Sequence, residues 1–322
     1  MATTAKTRKT RRSRTRSAPP KDIHQQITDT IIQAIEDGAG DWQMPWHRTG
    51  DGLNRPVNID THNRYRGINV LNLWIAAESR GFGCGVWGTY RQWQNRGCQV
   101  RKGEKGATVV FYKELEFEAE DPSTGETELE KRLMARASTV FNAEQVDGYE
   151  PEPLPVPDNP VSAIDQTEAF VSATSAEVRH GGTRAYYNRG RDFIQMPERE
   201  RFLGTKTSSS TEAYYGTLLH ELTHWTGHEK RCARQFGKRF GDEAYAMEEL
   251  VAELGAAFLC ADLGINQTPR PDHAAYIDSW LAVLKSDKKA VFAAASQASK
   301  AADFLTAMQA DVSAIQSDEA AA

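Results

Sequence analysis

The segment HELTH, at residues 220–224, constrains this chain more than any other part of its sequence. It lies within TEAYYGTLLHELTHWTGH, a run whose composition favours a helix. Residues four apart lie on one face of a helix, so the imidazoles of His220 and His224 can bind one cation. Glu221 projects beside that cation. The motif therefore predicts a metallopeptidase-type metal site with Glu221 as the catalytic carboxylate.

The spacing leaves the third protein ligand of this site open. His228 lies one turn beyond the motif, but Gly227 is expected to fray the helix before it. A second helix, YAMEELVAELGAAFL, carries Glu249 and Glu253 one turn apart. We assign Glu249 as the metal ligand and Glu253 as a carboxylate that orients a ligating histidine, although the spacing also allows the reverse. Glu248 is expected to face solvent.

The chemistry expected of such a site is hydrolysis. Zinc in hydrolytic sites takes three protein ligands and a water, whose pKa falls to about 7, and a nearby carboxylate accepts the water proton and passes it to the leaving group. Zn²⁺ is therefore the expected cofactor, with Mn²⁺ as a possible substitute. The alternative is a structural metal ion that only stabilises the fold. The presence of Glu221 argues against this alternative.

The chain divides into two predicted domains of α+β class. Its 322 residues suffice for two ordinary domains. The run YEPEPLPVPDNPV, at residues 149–161, has five prolines in thirteen residues, which indicates an extended connector. We expect a disordered basic tail at residues 1–20, an α+β domain at 21–148 and a mainly helical domain that carries the metal site at 162–322. The connector favours two domains that move as separate bodies.

Hydrophobic patterning predicts the main elements of both domains. Isoleucines every four residues predict a helix over 22–38, followed by a helix that ends near Gly81 and a short helix at TYRQWQNRG. Strands are expected at 107–117 and 136–146, with the acidic DPSTGETELE as a loop between them. The second domain is expected to contain a helix at TEAFVSATSAEV, two short strands in AYYNRGRDFIQMP and helices near 244–263, 273–286 and 289–313. Residues 191–197 are the candidate strand edge for binding a peptide backbone.

Composition limits the classes of protein that this chain can belong to. No apolar run approaches the ~18–20 residues that span a bilayer, and no apolar stretch follows the basic N-terminus as in a secretory signal. The four cysteines are scattered without a CxxC pair, which suits a reducing compartment. We therefore expect a cytoplasmic protein without a membrane partner. The net charge is −5, yet residues 1–21 carry basic side chains and no acidic one, so this tail is attracted to phosphate or simply solubilises the chain.

Aromatic and basic residues interleave between residues 42 and 113. Proteins bind single-stranded nucleic acid in this way, with bases stacked on aromatic faces and the backbone held in a basic groove. The residues of RYRG and RKGEKG are expected to be exposed, whereas Trp74 and Trp87 are better explained as core. The interleaved residues are Trp42, Trp46, His47, Arg48, Arg64, Tyr65, Arg66, Trp74, Trp87, Tyr90, Arg91, Trp93, Arg96, Arg101, Lys102, Lys105, Tyr112 and Lys113.

The chain resembles the ArdC family of plasmid antirestriction proteins, whose N-terminal domain is shared with the plasmid TraC primases. The motifs that carry the resemblance are NRYRGINVLNLW, WGTYRQWQNRGCQVRKGEKGATVVFYK, FNAEQVDG, HELTHWTGHEKRCAR and YAMEELVAELGAAFL. The resemblance implies an N-terminal domain that binds single-stranded DNA and a C-terminal zincin-like metallopeptidase fold related to the SprT type. It places the metal on His220, His224 and a glutamate of EELVAE, with Glu221 catalytic. The DNA contacts expected from the matching segments are Arg64, Tyr65, Arg66, Trp93, Arg101, Lys102 and Lys105.

Three functional hypotheses follow from the sequence. The first is an antirestriction protein that binds single-stranded DNA and protects incoming plasmid or phage DNA from host restriction. The second is a DNA-tethered metalloprotease that cleaves host proteins, so that a protein substrate of the host is a second partner. The third is a DNA-binding protein whose metal site is structural. Replacing Glu221 by glutamine separates the second hypothesis from the other two.

Overall fold

The computed structural model describes residues 22–38, 55–120, 127–150, 160–203, 209–235, 243–265 and 273–320. We call the part between 22 and 150 the N-terminal module and the part between 160 and 320 the C-terminal module. The predicted basic tail and most of the proline-rich connector lie outside the described residues, as do Trp42, Trp46, His47 and Arg48.

The N-terminal module combines helices with a four-stranded sheet. Its first helix buries Ile27, Ile31 and Ile35, which confirms the helix expected from their four-residue spacing. The short third helix begins at a capping box in which Thr89 and Gln92 satisfy each other's backbone N–H groups. The elements in chain order are α1 (Ile23–Gly38), β1 (Val57–Asn58), α2 (Ile68–Glu78), β2 (Val86–Thr89), α3 (Tyr90–Asn95), β3 (Gln99–Val100), β4 (Ala107–Glu120), β5 (Thr127–Asn142) and β6 (Val146–Asp147).

The main sheet has the strand order β1-β2-β5-β4, with β4 and β5 antiparallel as expected. The strands run further than predicted, because the backbone register continues from Ala107 opposite Val140 to Glu120 opposite Thr127. Part of the expected acidic loop is therefore strand. The exposed edge of β4 is protected by α2, since Asn69 accepts from the backbone N–H of Val110 at 2.7 Å and donates to its carbonyl oxygen at 2.9 Å.

The C-terminal module places a small sheet beside a set of helices. The strands around the glycine turn pair antiparallel, as the sequence predicted, and a third strand flanks them in the order β7-β9-β8. The helices carry most of the buried apolar surface. The elements in chain order are α4 (Pro160–Ala173), β7 (Glu177–His180), β8 (Tyr186–Asn188), β9 (Phe193–Met196), α5 (Ser210–Thr226), α6 (Glu243–Leu263), α7 (His273–Ser286) and α8 (Ala290–Ala320).

The two modules share one hydrophobic core, so the expectation of two separately moving bodies is wrong. Trp74 of α2 packs against Phe258 of α6, with ring centroids 5.8 Å apart. Across the same interface the hydroxyl of Thr28 donates to the carbonyl oxygen of Lys288 at 2.7 Å. A proline-rich connector indicates only that the chain between two domains is extended. Whether the domains associate depends on the apolar surface that they bury against each other.

Gly67 allows α2 to begin directly against α8. Its φ of 57° lies in the left-handed region, which a side chain rarely adopts, and its N–H donates to the hydroxyl of Ser299 at 2.8 Å. The start of α2 is thereby attached to the C-terminal module. Among the helices of the described segments, none has the length and apolar character that crossing a membrane requires.

Candidate metal centre

The helix α5 carries both histidines of the predicted metal site. Its N-cap is Ser209, whose side chain accepts from the N–H of Glu212 in a capping box, and its C-cap is Gly227. His220 and His224 lie in its last two turns, buried at 3% and 8% exposure, with ring centroids 4.8 Å apart. The four-residue spacing has placed both rings on one buried face.

The helix α6 brings a carboxylate to these two rings. Glu249 Oε2 lies 3.5 Å from His220 Nε2, and Glu249 Oε1 lies 3.5 Å from His224 Nε2. Ligand atoms bound about 2.0–2.1 Å from a tetrahedral zinc lie about 3.3–3.4 Å apart, so these separations fit one ion. Two imidazole nitrogens and one carboxylate oxygen are also a common donor set for a divalent metal with an open position. His220, His224 and Glu249 thus form a group that can hold a metal.

Close packing of α5 on α6 makes this convergence possible. A Cβ added at Gly255 would lie 2.4 Å from Cγ2 of Thr223, closer than side chains tolerate. The absence of a side chain at Gly255 therefore lets the two helices approach at the level of the histidines.

The Nδ1 atoms of the two histidines also face carboxylates. Glu253 Oε2 lies 3.5 Å from His220 Nδ1, and Glu248 Oε1 lies 3.1 Å from His224 Nδ1. The expectation that Glu248 faces solvent is wrong, because α6 is covered on almost every side and Glu248 is 5% exposed. The sequence feature that could have indicated a buried Glu248 was the pair of adjacent glutamates in an otherwise apolar helix.

The buried carboxylates of this site strongly favour positive charge beside them. Burial alone would lower the pKa of His224, but its hydrogen bonds with Glu248 and Glu249 outweigh that effect and raise the pKa to about 10. Burial alone would raise the pKa of Glu249, but its hydrogen bonds with His220 and His224 hold that pKa far below its usual range. A cation is the natural counter-charge for this cluster.

The other residues considered at the sequence level lie in two different settings. Glu221 is buried at 3% exposure on α5, beside the histidine pair. His228 lies beyond the end of the helix, where its Nδ1 accepts from the N–H of Lys230 at 3.2 Å, and it is not part of the group that can hold a metal.

Residues 191–197 do not offer the strand edge that was expected to bind a peptide backbone, because β9 is the middle strand of its sheet. Sequence identifies a strand, whereas neighbours decide whether it is an edge.

Two of the expected DNA-binding aromatics are core residues. Tyr65 is 5% exposed and Trp93 is fully buried, so the expectation of an exposed Tyr65 is wrong and neither ring offers a free face to a base. The indole N–H of Trp93 donates to the carbonyl oxygen of Phe141 at 3.1 Å. Aromatic residues serve as core more often than as stacking surfaces, and sequence spacing alone does not separate the two uses.

The expected basic DNA contacts are exposed, and several are paired with acids. Arg64 lies 3.0 Å from Asp262, and Arg66 pairs with Asp303, so both reach across to the C-terminal module. Arg101 lies 3.1 Å from Glu104. Lys102 and Lys105 are also exposed.

Tyr90 is an exposed aromatic residue that was not among the DNA contacts expected from the sequence. Tyr90 is 42% exposed and lines a surface groove with Gln99, Phe141, Arg101 and Lys102. Its presence in the interleaved aromatic and basic run was the available signal. Its exposure could not be read from that run.

A helix with two histidines and a glutamate, completed by a glutamate from a second helix, defines a zincin-like metallopeptidase module, which implies a divalent metal. The family described as zincin-like metallopeptidase matches residues 165–297. The family described as the N-terminal domain of anti-restriction factor ArdC matches residues 21–141. The chain belongs to the ArdC family of antirestriction proteins.

Solved structures and curated relatives agree with this membership. The metal-free crystal structure of the antirestriction ArdC protein from plasmid R388 is 41% identical, covers 90% of this chain and 98% of that chain, and superposes with a TM-score of 0.72. The Mn(II)-bound structure of that protein is 39% identical, with the same coverage and a TM-score of 0.69.

Among curated proteins, the uncharacterized protein y4eC of Sinorhizobium fredii is 46% identical over 91% of this chain and 94% of its own length. The DNA primase TraC of Escherichia coli is 37% identical over 90% of this chain, which spans 27% of the primase. The similarity therefore runs through both modules of this chain and extends to a region of a larger DNA primase.

Proposed function

We propose that this protein binds single-stranded DNA in the cytoplasm and protects incoming plasmid or phage DNA from host restriction. The observation that carries the proposal is the similarity to an antirestriction protein over 98% of that protein's length. The proposal includes the domain limits 21–148 and 162–322, with a connector at 149–161.

The groove at Tyr90 is the proposed site for the DNA strand. Its exposed ring supplies a face on which a base can stack, and Arg101 and Lys102 supply positive charge for the backbone. Glu104 and Asp147 also line the groove, and Arg101 lies 3.6 Å from Asp147. A phosphate must therefore compete with these carboxylates for the guanidinium, which makes binding moderate in strength and sensitive to salt.

Titration of the full chain with single-stranded DNA over a salt series tests this site. We expect binding that weakens with salt and exceeds binding to duplex DNA of the same sequence. Replacing Tyr90 by alanine should cost about 1–3 kcal/mol of binding free energy, the worth of one stacked base. Tyr186→Ala is the matched control, because Tyr186 is 44% exposed on the C-terminal module. Equal binding by wild type and Tyr90→Ala would exclude the groove.

The metal centre is proposed to hold Zn²⁺, with Mn²⁺ as an alternative, on His220, His224 and Glu249. The ion, when bound, would act as a Lewis acid that polarises a substrate carbonyl and acidifies water. Glu221 would accept a proton and return it to the leaving group. Glu253 would orient His220 through the contact at Nδ1.

Metal-dependent hydrolysis of a host protein is the second candidate function. It is favoured by Glu221, which is buried on the helix that carries both histidines, because a structural metal site has no need of such a carboxylate. Glu221→Gln should retain metal binding and fold stability. If protection of DNA in cells survives this substitution, shielding accounts for the function; if protection is lost, proteolysis does. Glu198→Gln, at an exposed position of the same module, is the control.

A further inference from the structure

Glu248 connects one histidine of the metal centre to an arginine outside it. His224 Nδ1 donates to Glu248 Oε1 at 3.1 Å, and Arg234 donates to the same carboxylate from Nε at 3.0 Å and from Nη2 at 2.9 Å. The side chains of Glu248 and Arg234 are 5% and 4% exposed. The carboxylate is therefore held on one side by a two-pronged guanidinium contact and presents its Oε1 to the imidazole.

Arg234 is itself anchored to the end of α5. Its Nη1 donates to the hydroxyl of Thr226 at 2.7 Å, and its Nη2 donates to the carbonyl oxygen of Thr223 at 2.6 Å. Both acceptors belong to the last turn of the helix that carries His224. The guanidinium thus ties the end of α5 to the first half of α6 at the level of the metal centre.

We infer that Arg234 and Glu248 are positioning residues that fix the ring orientation and tautomer of His224 for metal binding. With Nδ1–H donating to Glu248, the lone pair of a neutral imidazole lies on Nε2, which faces Glu249 at 3.5 Å. His220 is held less closely, because its Nδ1 lies 3.5 Å from Glu253. His224 is consequently the better oriented of the two rings. The inference rests on the proposed metal centre.

The test measures Zn²⁺ affinity of the full chain by competition with a chromophoric chelator. Glu248→Ala and Arg234→Ala should each weaken binding by about 10–100-fold, the usual effect of losing a partner of a ligating histidine. Glu248→Gln retains an acceptor oxygen, and Arg234→Lys retains the charge, so both should recover part of the affinity. The visible spectrum of the Co²⁺-substituted protein should change in the alanine variants, because the orientation of His224 changes.

Arg231→Ala is the matched control for structural damage. Arg231 also anchors the end of α5, donating from Nε to the carbonyl oxygen of Trp225 at 2.6 Å and pairing with Asp192, but no described contact joins it to His224. It should lower the melting temperature and leave Zn²⁺ affinity and the Co²⁺ spectrum unchanged.

The outcomes distinguish a failure of the positioning role from a failure of the metal centre. If affinity falls in all three alanine variants in proportion to lost stability, Arg234 and Glu248 are merely structural and the inference is overturned. If Glu248→Ala and Arg234→Ala bind Zn²⁺ as tightly as wild type, the inference is also overturned while the metal centre stands. Failure of the wild-type chain to bind any Zn²⁺ or Mn²⁺ would overturn the metal centre itself.

Discussion

The metal centre and the candidate DNA surface use charge in opposite ways. At the metal centre, carboxylates and imidazoles are buried against one another and held by further hydrogen bonds. On the N-terminal module, Arg64, Arg66 and Arg101 are exposed and already paired with carboxylates. The metal centre is therefore arranged for one ion, whereas on the proposed DNA surface a phosphate would have to displace carboxylates that already pair with these arginines.

Loss of a metal ligand is the largest effect expected from this comparison. Glu249→Gln removes the carboxylate that faces both histidines, so metal affinity should fall by more than the ~10–100-fold typical of outer partners. The measurement is Zn²⁺ or Mn²⁺ binding to the full chain. Glu243→Gln makes the same chemical change at an exposed position of α6 and should leave affinity intact. Equal affinities in the two variants would remove Glu249 from the site.

Truncation of Trp93 should have the next largest effect, which is a loss of folding stability. Because Trp93 is fully buried, Trp93→Ala should lower the free energy of unfolding by about 3–5 kcal/mol. Denaturant unfolding of the full chain measures it. Tyr90→Ala, three residues away on an exposed ring, should change stability little. If the two variants are equally stable and Trp93→Ala alone loses DNA binding, the assignment of core and surface is reversed.

A substitution that disturbs the close approach of α5 and α6 should have a smaller effect on stability. Gly255→Ala introduces a Cβ 2.4 Å from Thr223 Cγ2, and such overpacking costs about 1–3 kcal/mol of stability. Metal affinity should fall as well, since Glu249 moves relative to the histidines. Thermal unfolding with and without metal is the measurement.

Gly216→Ala is the control for a glycine inside a buried helix, because an added Cβ there meets nothing within 4 Å. It should be neutral or stabilise the protein by up to about 1 kcal/mol. Adding Thr223→Ala to Gly255→Ala should recover part of the lost stability. If the two substitutions are simply additive, the steric explanation fails.

The smallest effect concerns the ionic contacts between the modules. Asp303→Asn frees Arg66 from its partner, and because both side chains are largely exposed, stability should change by less than about 1 kcal/mol. Affinity for single-stranded DNA should rise modestly at low salt, since a competing carboxylate has gone. Asp165→Asn, at an exposed position of α4, is the control for net charge. Identical DNA binding in both variants would place Arg66 outside the DNA surface.

Local periodicity explains why so much of the secondary structure was predictable. The isoleucines of α1 and the strands paired between 107 and 142 follow patterns that residues impose on their own neighbourhood. The exposure of a side chain is less predictable, because it depends on elements that are distant in the sequence. Tyr65, Trp93 and Tyr90 are similar in sequence context, yet the first two are buried in hydrophobic clusters and the third is open to solvent.

The shared face of His220 and His224 followed from the sequence alone, since a helix fixes the relation between residues four apart. The sequence also indicated the second helix that supplies a carboxylate. The packing of α5 on α6 was needed to show which glutamate of that helix faces Nε2 of both rings and which glutamates face the Nδ1 atoms. The tertiary structure was likewise needed to show that both modules share one core. The physical reason is that such arrangements depend on how helices pack at close range, where a single glycine at position 255 sets the distance between them.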